Sequence, residues 1–423
     1  MAAAWGLPLH LTTWIIAALA TLGVILRPFS WPEAIWAALG ALLLVVLGLM
    51  PWQVALQGVA KGTDVYLFLV GMMLLSEIAR KEGLFDWLAA HAVRAAKGSA
   101  TRLFLLVYAV GTVVTVFLSN DACAVVLTPA VFAATKAAGV KEPLPYLFVC
   151  AFIANAASFV LPISNPANLV VFAEHMPPLG RWLATFTLPS VLAIVATYVA
   201  LRLTQNARLK GETVATDVET PRLVLGGKVA AFGIVATGAA LIGASAAGLE
   251  LGLPTFIAGL ATSLVVLLIN RGGLVEVVKD VSWSVLPLVA GLFVLVEALE
   301  KTGVLKMLAD LLQRAAQGDP DATAWAGGAI VAFGSNLVNN LPAGLLAGAA
   351  VQAAHVQEKV AGAILIGVDL GPNLSVTGSL ATILWLTAIR REGEDVSAFA
   401  FLKLGFLIMP PALALALAAL ILV

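Results

Sequence analysis

Residues Leu118 to Val131 read LSNDACAVVLTPAV, and this stretch decides the fold. Ser119, Asn120 and Asp121 stand between two long apolar runs. If those runs lie at membrane depth, the backbone around Asn120 cannot face lipid; it must be enclosed in protein or line a wet cavity. That is where transporters keep their sites. The stretch has an echo 220 residues on, in SNLVNNLPAGLLAG, which lays Asn120 on Asn340. At the same offset Gly71, Leu75, Glu77, Lys81, Gly83, Leu88 and Ala89 coincide with Gly291, Leu295, Glu297, Lys301, Gly303, Leu308 and Ala309. Seven identities in the 19 positions from Gly71 to Ala89 make the chain two copies of one plan.

Composition sets the class. With 423 residues, 61% apolar and 11% charged, and a mean hydropathy of +1.01, the chain is too oily for a soluble globular protein and reads as a polytopic membrane protein. Lys plus Arg and Asp plus Glu balance at 24 each, so no net field points to nucleic acid. The start, MAAAWGLPLHLTTWIIAALA, lacks the basic region of a secretory signal, so its apolar run is expected to be a retained span. Two cysteines, Cys123 and Cys150, cannot build a disulfide framework or a zinc site. His10, His91, His175 and His355 are scattered, no nucleotide-binding loop is present, and no cofactor is expected.

Apolar runs long enough to cross a bilayer, which takes about 20 helical residues, cover His10 to Leu26, Trp31 to Pro51, Asp64 to Ala79, Leu144 to Ala173 and Trp182 to Leu203. After the polar linker they resume at Lys228 to Ala247, Gly252 to Asn270, Ser284 to Leu299, Val360 to Ile389 and Phe399 to Val423. Between the third and fourth spans of each half lies a two-limbed segment, Thr101 to Leu118 with Asp121 to Ala138, then Asp321 to Val338 with Leu341 to His355. Each is either a pair of crossings or a re-entrant hairpin with the Asn at its tip. Residues 1–203 are therefore the first repeat, 204–227 a cytoplasmic linker and 228–423 the second repeat.

Placing both termini outside puts 18 of the 24 Lys and Arg residues on the cytoplasmic side, among them Arg80, Arg271, Arg390 and Arg391. Lys61, Arg181, Lys301, Lys306, Arg314 and Lys359 then face out, and the opposite orientation inverts the bias. An odd number of spans per half makes the repeats run in opposite directions, as in many secondary transporters. The fold class is thus an all-α membrane protein of two inverted five-span repeats, each with a helical hairpin and a broken helix. Gly83 to Lys97 and Gly303 to Arg314 have amphipathic spacing and suit helices along the interface, bracing the hairpins or merely connecting spans. Glu77 and Glu297, at span ends, read as a solvated interfacial pair.

A second break per half supplies the rest of the site. PISNPAN, Pro162 to Asn168, interrupts one run, and GVDLGPNLSVTGSLAT, Gly367 to Thr382, interrupts the other. An offset of 214 sets Asn155 against Asp369 and Ser164 against Gly378. Proline and glycine weaken or remove helical backbone bonds, so discontinuous helices are expected at mid-depth. The candidate substrate residues are Ser119, Asn120, Asn165, Asn168, Asn339, Asn340, Asn373, Ser375, Thr377 and Ser379, all neutral donors and acceptors. Asp121 and Asp369 are candidate proton carriers, since an intramembrane carboxylate costs at least about 2.5 kcal/mol. For Asp121 a helix cap is the alternative. No Lys or Arg is assigned near either acid, which favours a neutral solute or a cation over a multivalent anion.

LSNDACAVVLTPAV, PISNPANLVVF, SNLVNNLPAG and above all GVDLGPNLSVTGSLATILWL resemble the arsenite and antimonite efflux permeases, a branch of the ion transporter superfamily. The resemblance implies export of As(OH)3 or Sb(OH)3 across a bacterial inner membrane in exchange for protons, with a soluble cytoplasmic arsenite-stimulated ATPase as a partner in some systems. It implies a scaffold with a transport domain carrying both hairpins. Cys123 stands where the family usually has a small residue; a metalloid contact is one reading and a small buried hydrophobe the other. A sodium/proton antiporter and a channel subunit of an ATP-driven arsenite pump are the alternative functions. An enzyme is not expected, because no His or Cys pairing near the breaks offers a nucleophile or metal arrangement.

Overall fold

Prolines mark many of the helix starts, because a fixed φ and a missing N–H are harmless in the first turn and disruptive later. Pro32, Pro51, Pro143 and Pro178 each precede a helix, and Pro166 and Pro320 begin one. The computed structural model describes residues 9–172, 176–216, 218–270, 277 and 279–422. Residues 1–8, Ala173, His175, Arg271 and Val423, on which some of the sequence expectations fall, lie outside the described residues.

In the first half α1 spans Leu9–Leu26, α2 Glu33–Val46, α3 Trp52–Lys61, α4 Thr63–Lys81, α5 Leu84–Ala96 and α6 Ala100–Phe117. Beyond the polar tip a π-helical segment, Ala122–Leu127, runs into α7, Thr128–Ala137. There follow α8 Leu144–Ala156, α9 Pro166–Phe172, α10 Leu179–Thr204 and the short α11 Asn206–Leu209. The second half comprises α12 Leu225–Ala246, α13 Gly252–Asn270, α14 Val285–Lys301, α15 Val304–Gly318, α16 Pro320–Val338, α17 Asn340–Ala354, α18 Glu358–Leu370, α19 Leu380–Arg391 and α20 Ala398–Leu422.

The packing is reciprocal between halves. Helix α4 lies on α13 while α14 lies on α2, α9 packs on α17 while α19 packs on α7 and the π segment, and α10 runs along α20. Each contact is matched by one with the halves exchanged, as a pseudo-two-fold relation requires. The expected fold class stands: all-helical, repeated, with a hairpin and a broken helix in each copy. Glycine explains one of the identities. A Cβ on Gly71 would collide with the Thr255 carbonyl oxygen of α13, and one on Gly291 would sit 2.7 Å from the Ala37 carbonyl carbon of α2. Only a bare backbone permits those two equivalent crossings.

The change of offset from 220 to 214 also has a structural cause. The second limb of the first hairpin continues to Ala137, whereas α17 stops at Ala354, three residues sooner in register. The connections that follow are 138–143 and 355–357, six residues against three. Three and three account for the six. Five described helices are long and apolar enough to cross a membrane, α6, α10, α12, α13 and α20, and α3 with α4, bent by 48°, forms a sixth candidate span. Of the other apolar runs, Leu144 to Ala173 and Val360 to Ile389 are divided by the breaks into shorter helices.

Helix α5 packs on α6, α7 and the π segment, and α15 on α16 and α17, so both amphipathic helices touch both limbs of their hairpin. Glu77 and Glu297 are not solvated, as their span-end positions suggested; they are 8% and 6% exposed. Burial is compensated by charge. Lys61 Nζ on α3 lies 2.6 Å from Glu297, and Arg80 lies 2.5 Å from Glu77 and 3.4 Å from Asp280.

Candidate functional site

The two broken helices meet at their breaks. Pro162 and Pro166 in one, and Gly371, Pro372 and Gly378 in the other, leave short 3-10 turns separated by extended residues, Asn165 (φ −150°), Ser375 (φ −140°) and Ser379 (φ −141°). The carbonyls freed by the first break are taken up by one side chain. Asn168 Nδ2 donates to the Ser158, Leu161 and Pro162 oxygens at 2.9, 3.2 and 3.3 Å. Ser379 caps α19, its hydroxyl accepting from the Thr382 N–H at 3.1 Å.

Across the junction, Asn165 Nδ2 donates to Asp369 Oδ1 at 2.8 Å. Asn155 Nδ2 donates to Asn373 Oδ1 at 3.0 Å and to Thr382 Oγ1 at 3.3 Å, and Asn373 Nδ2 returns a bond to the Phe152 carbonyl at 3.0 Å. Asn155 and Asp369 are equivalent in the repeat, so one turn before each break the first copy carries an amide and the second an acid. Both are fully buried. Ser158 sits beside Asp369, but its hydroxyl donates to the Asn155 carbonyl at 2.8 Å. Asp369 Oδ2 and Asn155 Oδ1 are left without a protein hydrogen-bond partner among the described residues. An unpaired buried carboxylate oxygen is costly.

At the first hairpin tip the capping is done by Ser119, whose hydroxyl accepts from the Ala122 N–H at 3.2 Å, and by Asn120, whose Oδ1 accepts from the Asp121 N–H at 2.9 Å. Asp121 makes no side-chain cap bond. The cap alternative for Asp121 is thus replaced: its neighbours already satisfy the exposed N–H groups. At the second tip Asn339 adopts φ +71° and accepts from the Leu341 N–H at 3.3 Å while donating to the Thr377 carbonyl at 3.2 Å.

Asn336, not singled out by the sequence, organises this tip. It accepts from Ser375 at 2.7 Å, donates to the Gly371 carbonyl at 3.0 Å, and its own carbonyl accepts from Thr377 at 3.2 Å. Its position one helical turn before Asn340, in SNLVNN, was the available signal. The first half does the same with different chemistry: the carbonyl of Val116, the equivalent of Asn336, accepts from the Ser164 hydroxyl at 2.9 Å. In both copies hairpin and broken helix are therefore bonded to one another.

A cavity of about 560 Å³ lies between α4, the first hairpin, the start of α9, α19 and the residues leading into α14. From the candidate set it takes Ser119 and Asp121, and Pro166, next to Asn165, forms part of its wall. Asn165, Asn168, Asn373, Ser379 and Asp369 sit buried behind that wall at the junction of the breaks, and Asn339, Ser375 and Thr377 join the Asn336 network. Asn120 and Asn340 are buried, at 3% and 5% exposure. Cys123 faces away from the cavity, its thiol directed at the Cys150 carbonyl at 3.6 Å, while Ala122, Val125 and Val126 form the cavity side of the π segment.

The absence of bases near the acids does not survive in three dimensions, because Arg80 and Arg391 come from other helices onto the same wall. Acids still outnumber them: Glu77, Asp121, Asp280 and Glu392 against those two. Arg80 is already held by Glu77 and Asp280.

Comparison with known proteins agrees with this architecture. The family model described as Citrate transporter (CitMHS) matches residues 14–370. The arsenical pump membrane protein of Escherichia coli (strain K12) is 28% identical over 413 residues, covering 91% of this chain and 92% of its own. The putative arsenical pump membrane protein of Bacillus subtilis (strain 168) is 23% identical, covering 91% and 93%. Among solved structures, the YdaH transporter of Alcanivorax borkumensis has the same fold, with a TM-score of 0.57 at 16% identity over 88% of this chain and 86% of that one. The resemblance carried by the break motifs is borne out by these relatives. A match of the family model over most of its length makes this chain a member of the citrate transporter (CitMHS) family of membrane transporters.

Proposed function

We propose that the protein is a secondary transporter that exports trivalent arsenic or antimony, as the neutral trihydroxides, across the bacterial inner membrane in exchange for protons. The observation that carries this reading is the cavity wall at the first hairpin tip, where Ser119 and Asp121 meet a surplus of acids over bases. A neutral polyhydroxylated solute hydrogen-bonds to such a wall without a counter-charge, whereas a tricarboxylate meets repulsion. Protons are carried by Asp121, on the cavity, and by Asp369, behind it. Arg80 and Arg391 lie on the side that the Lys and Arg bias makes cytoplasmic, so this cavity is the inward-facing entrance, and both termini are periplasmic.

The test is radiolabelled arsenite uptake into everted membrane vesicles with a proton gradient imposed and then collapsed. Uptake that follows the gradient supports the reading; arsenite movement indifferent to it removes the proton coupling. A soluble ATPase partner belongs to the alternative reading of an ATP-driven pump, and gradient-driven uptake in ATPase-free proteoliposomes makes it dispensable. Sodium-driven movement without an arsenite effect selects the sodium/proton alternative.

One observation favours a carboxylate substrate. Arg391 is on the cavity wall and makes no ion pair among the described residues. Citrate that competes with arsenite, and loses that ability in Arg391→Gln, would select this second reading.

A further inference from the structure

Helix α4 presents one continuous stripe to the cavity, Leu69, Met72, Met73, Ser76, Glu77 and Arg80. The repeat allows that stripe to be compared with its counterpart on α14. Positions that pack the scaffold are identical in the two copies, Gly71 with Gly291 and Leu75 with Leu295, and both members of each pair are buried. Met72, Met73 and Ser76 instead stand opposite Leu292, Phe293 and Val296. Elsewhere on the stripe Glu77 is identical to Glu297, Leu69 stands opposite Val289 and Arg80 opposite Glu300. At Met72, Met73 and Ser76 the change is from hydrocarbon to sulfur and hydroxyl.

We propose that Met72 and Met73 are specificity-determining residues whose thioether sulfurs form a soft-donor wall facing the Ser119–Asp121 tip, selecting a thiophilic trivalent metalloid over hard solutes of the same shape. This rests on the functional reading above. Thioethers are soft ligands, matched to soft centres and poorly matched to hard ones, and an unbranched methionine adapts its sulfur to an irregular cavity. Hydroxyls of the cargo donate to Asp121 and exchange hydrogen bonds with Ser119 and Ser76, while a sulfur lone pair approaches the arsenic or antimony centre. No As–O bond breaks and no proton leaves in that contact, so the cargo is released readily. A thiolate bond, which requires loss of hydroxide and a thiol proton, would hold it longer, and both thiols, Cys123 and Cys150, are turned away from this wall.

The decisive variant is Met72→Leu with Met73→Leu, which conserves volume and apolarity. Arsenite and antimonite uptake into everted vesicles are measured with boric acid, a hard neutral trihydroxide, as competitor. The wild type is expected to discriminate against boric acid; the double variant is expected to raise KM for both metalloids by about tenfold with kcat little changed, and to lose the discrimination. An unchanged KM and an unchanged preference in the variant overturn the proposal while leaving the transport reading intact. Failure of the wild type to move either metalloid overturns the transport reading itself. If the variant does not reach the membrane, NMR of the wild type labelled with methyl-13C methionine decides: arsenite should shift the Met72 and Met73 methyl signals and leave that of Met307, 62% exposed on α15, unmoved. Unshifted Met72 and Met73 signals reject the soft wall.

Discussion

Asn165 donates to Asp369 at 2.8 Å, from the extended residue of one broken helix to the last turn before the break in the other. The bond joins the two repeats at the point where each loses its helical hydrogen bonds, and it leaves Asp369 Oδ2 without a partner among the described residues. That amide holds the buried acid, and its residue is next to the proline that walls the cavity.

Replacing Asn165 with Ala removes that donor. We expect a loss of about 1–3 kcal/mol, the cost of stranding a buried acceptor, read as a lower melting temperature in detergent. Asp369→Asn keeps an acceptor for Asn165 and should keep the wild-type melting temperature while abolishing gradient-driven arsenite uptake. Undiminished uptake in that variant removes Asp369 from the mechanism.

Asn155 bonds to Asn373 and Thr382 on the opposite broken helix. Asn155→Ala leaves the Asn373 carbonyl oxygen without this donor inside protein and should cost about 1–3 kcal/mol. Asn155→Asp places an acid in both copies at the same station. It should slow transport and change the proton dependence of uptake, which a titration of rate against the imposed gradient measures; an unaltered dependence counts against a carrier role for this station.

The glycine crossings make a prediction about packing alone. Gly71→Val and Gly291→Val should each destabilise by about 1–3 kcal/mol or more, because the added atoms meet backbone that cannot move aside. Among the described residues, Gly180 has nothing within 4 Å of an added Cβ. Gly180→Ala, inside α10, should be neutral or stabilise by about 0.4–1 kcal/mol. Thermal unfolding of the three variants side by side checks both statements.

Lys61 bonds to Glu297 at 2.6 Å and ties α3 to α14; the next cation, Lys301, is 3.8 Å away. Lys61 is 55% exposed at its side chain, so solvent screens part of the pair and Lys61→Met should cost only about 1 kcal/mol. Adding Glu297→Gln should recover part of that loss, and a double-mutant cycle measures the coupling. Purely additive losses would mean that the pair contributes nothing to holding α3.

Much of the fold was legible before any coordinates. Glycine, proline and the apolar runs mark the helix limits locally, and a duplicated pattern such as Gly71 with Gly291 betrays two copies because both helices meet the same packing demand. The polar breaks at Asn120, Asn165, Asn340 and Asn373 could be read as sites because lipid leaves unpaired backbone nowhere to go. Tertiary structure decided what those residues do. It sent Asn168 and Asn336 to satisfy the freed carbonyls, brought Arg80 and Arg391 onto the wall beside Asp121, buried Glu77 and Glu297 in ion pairs, and set Met72 and Met73 toward the cavity. Those outcomes depend on which helices cross and at what rotation, and side chains scores or hundreds of residues apart become neighbours only when the two copies are packed together. Local pattern records where the backbone must bend; which groups then face each other is a property of the assembled helices.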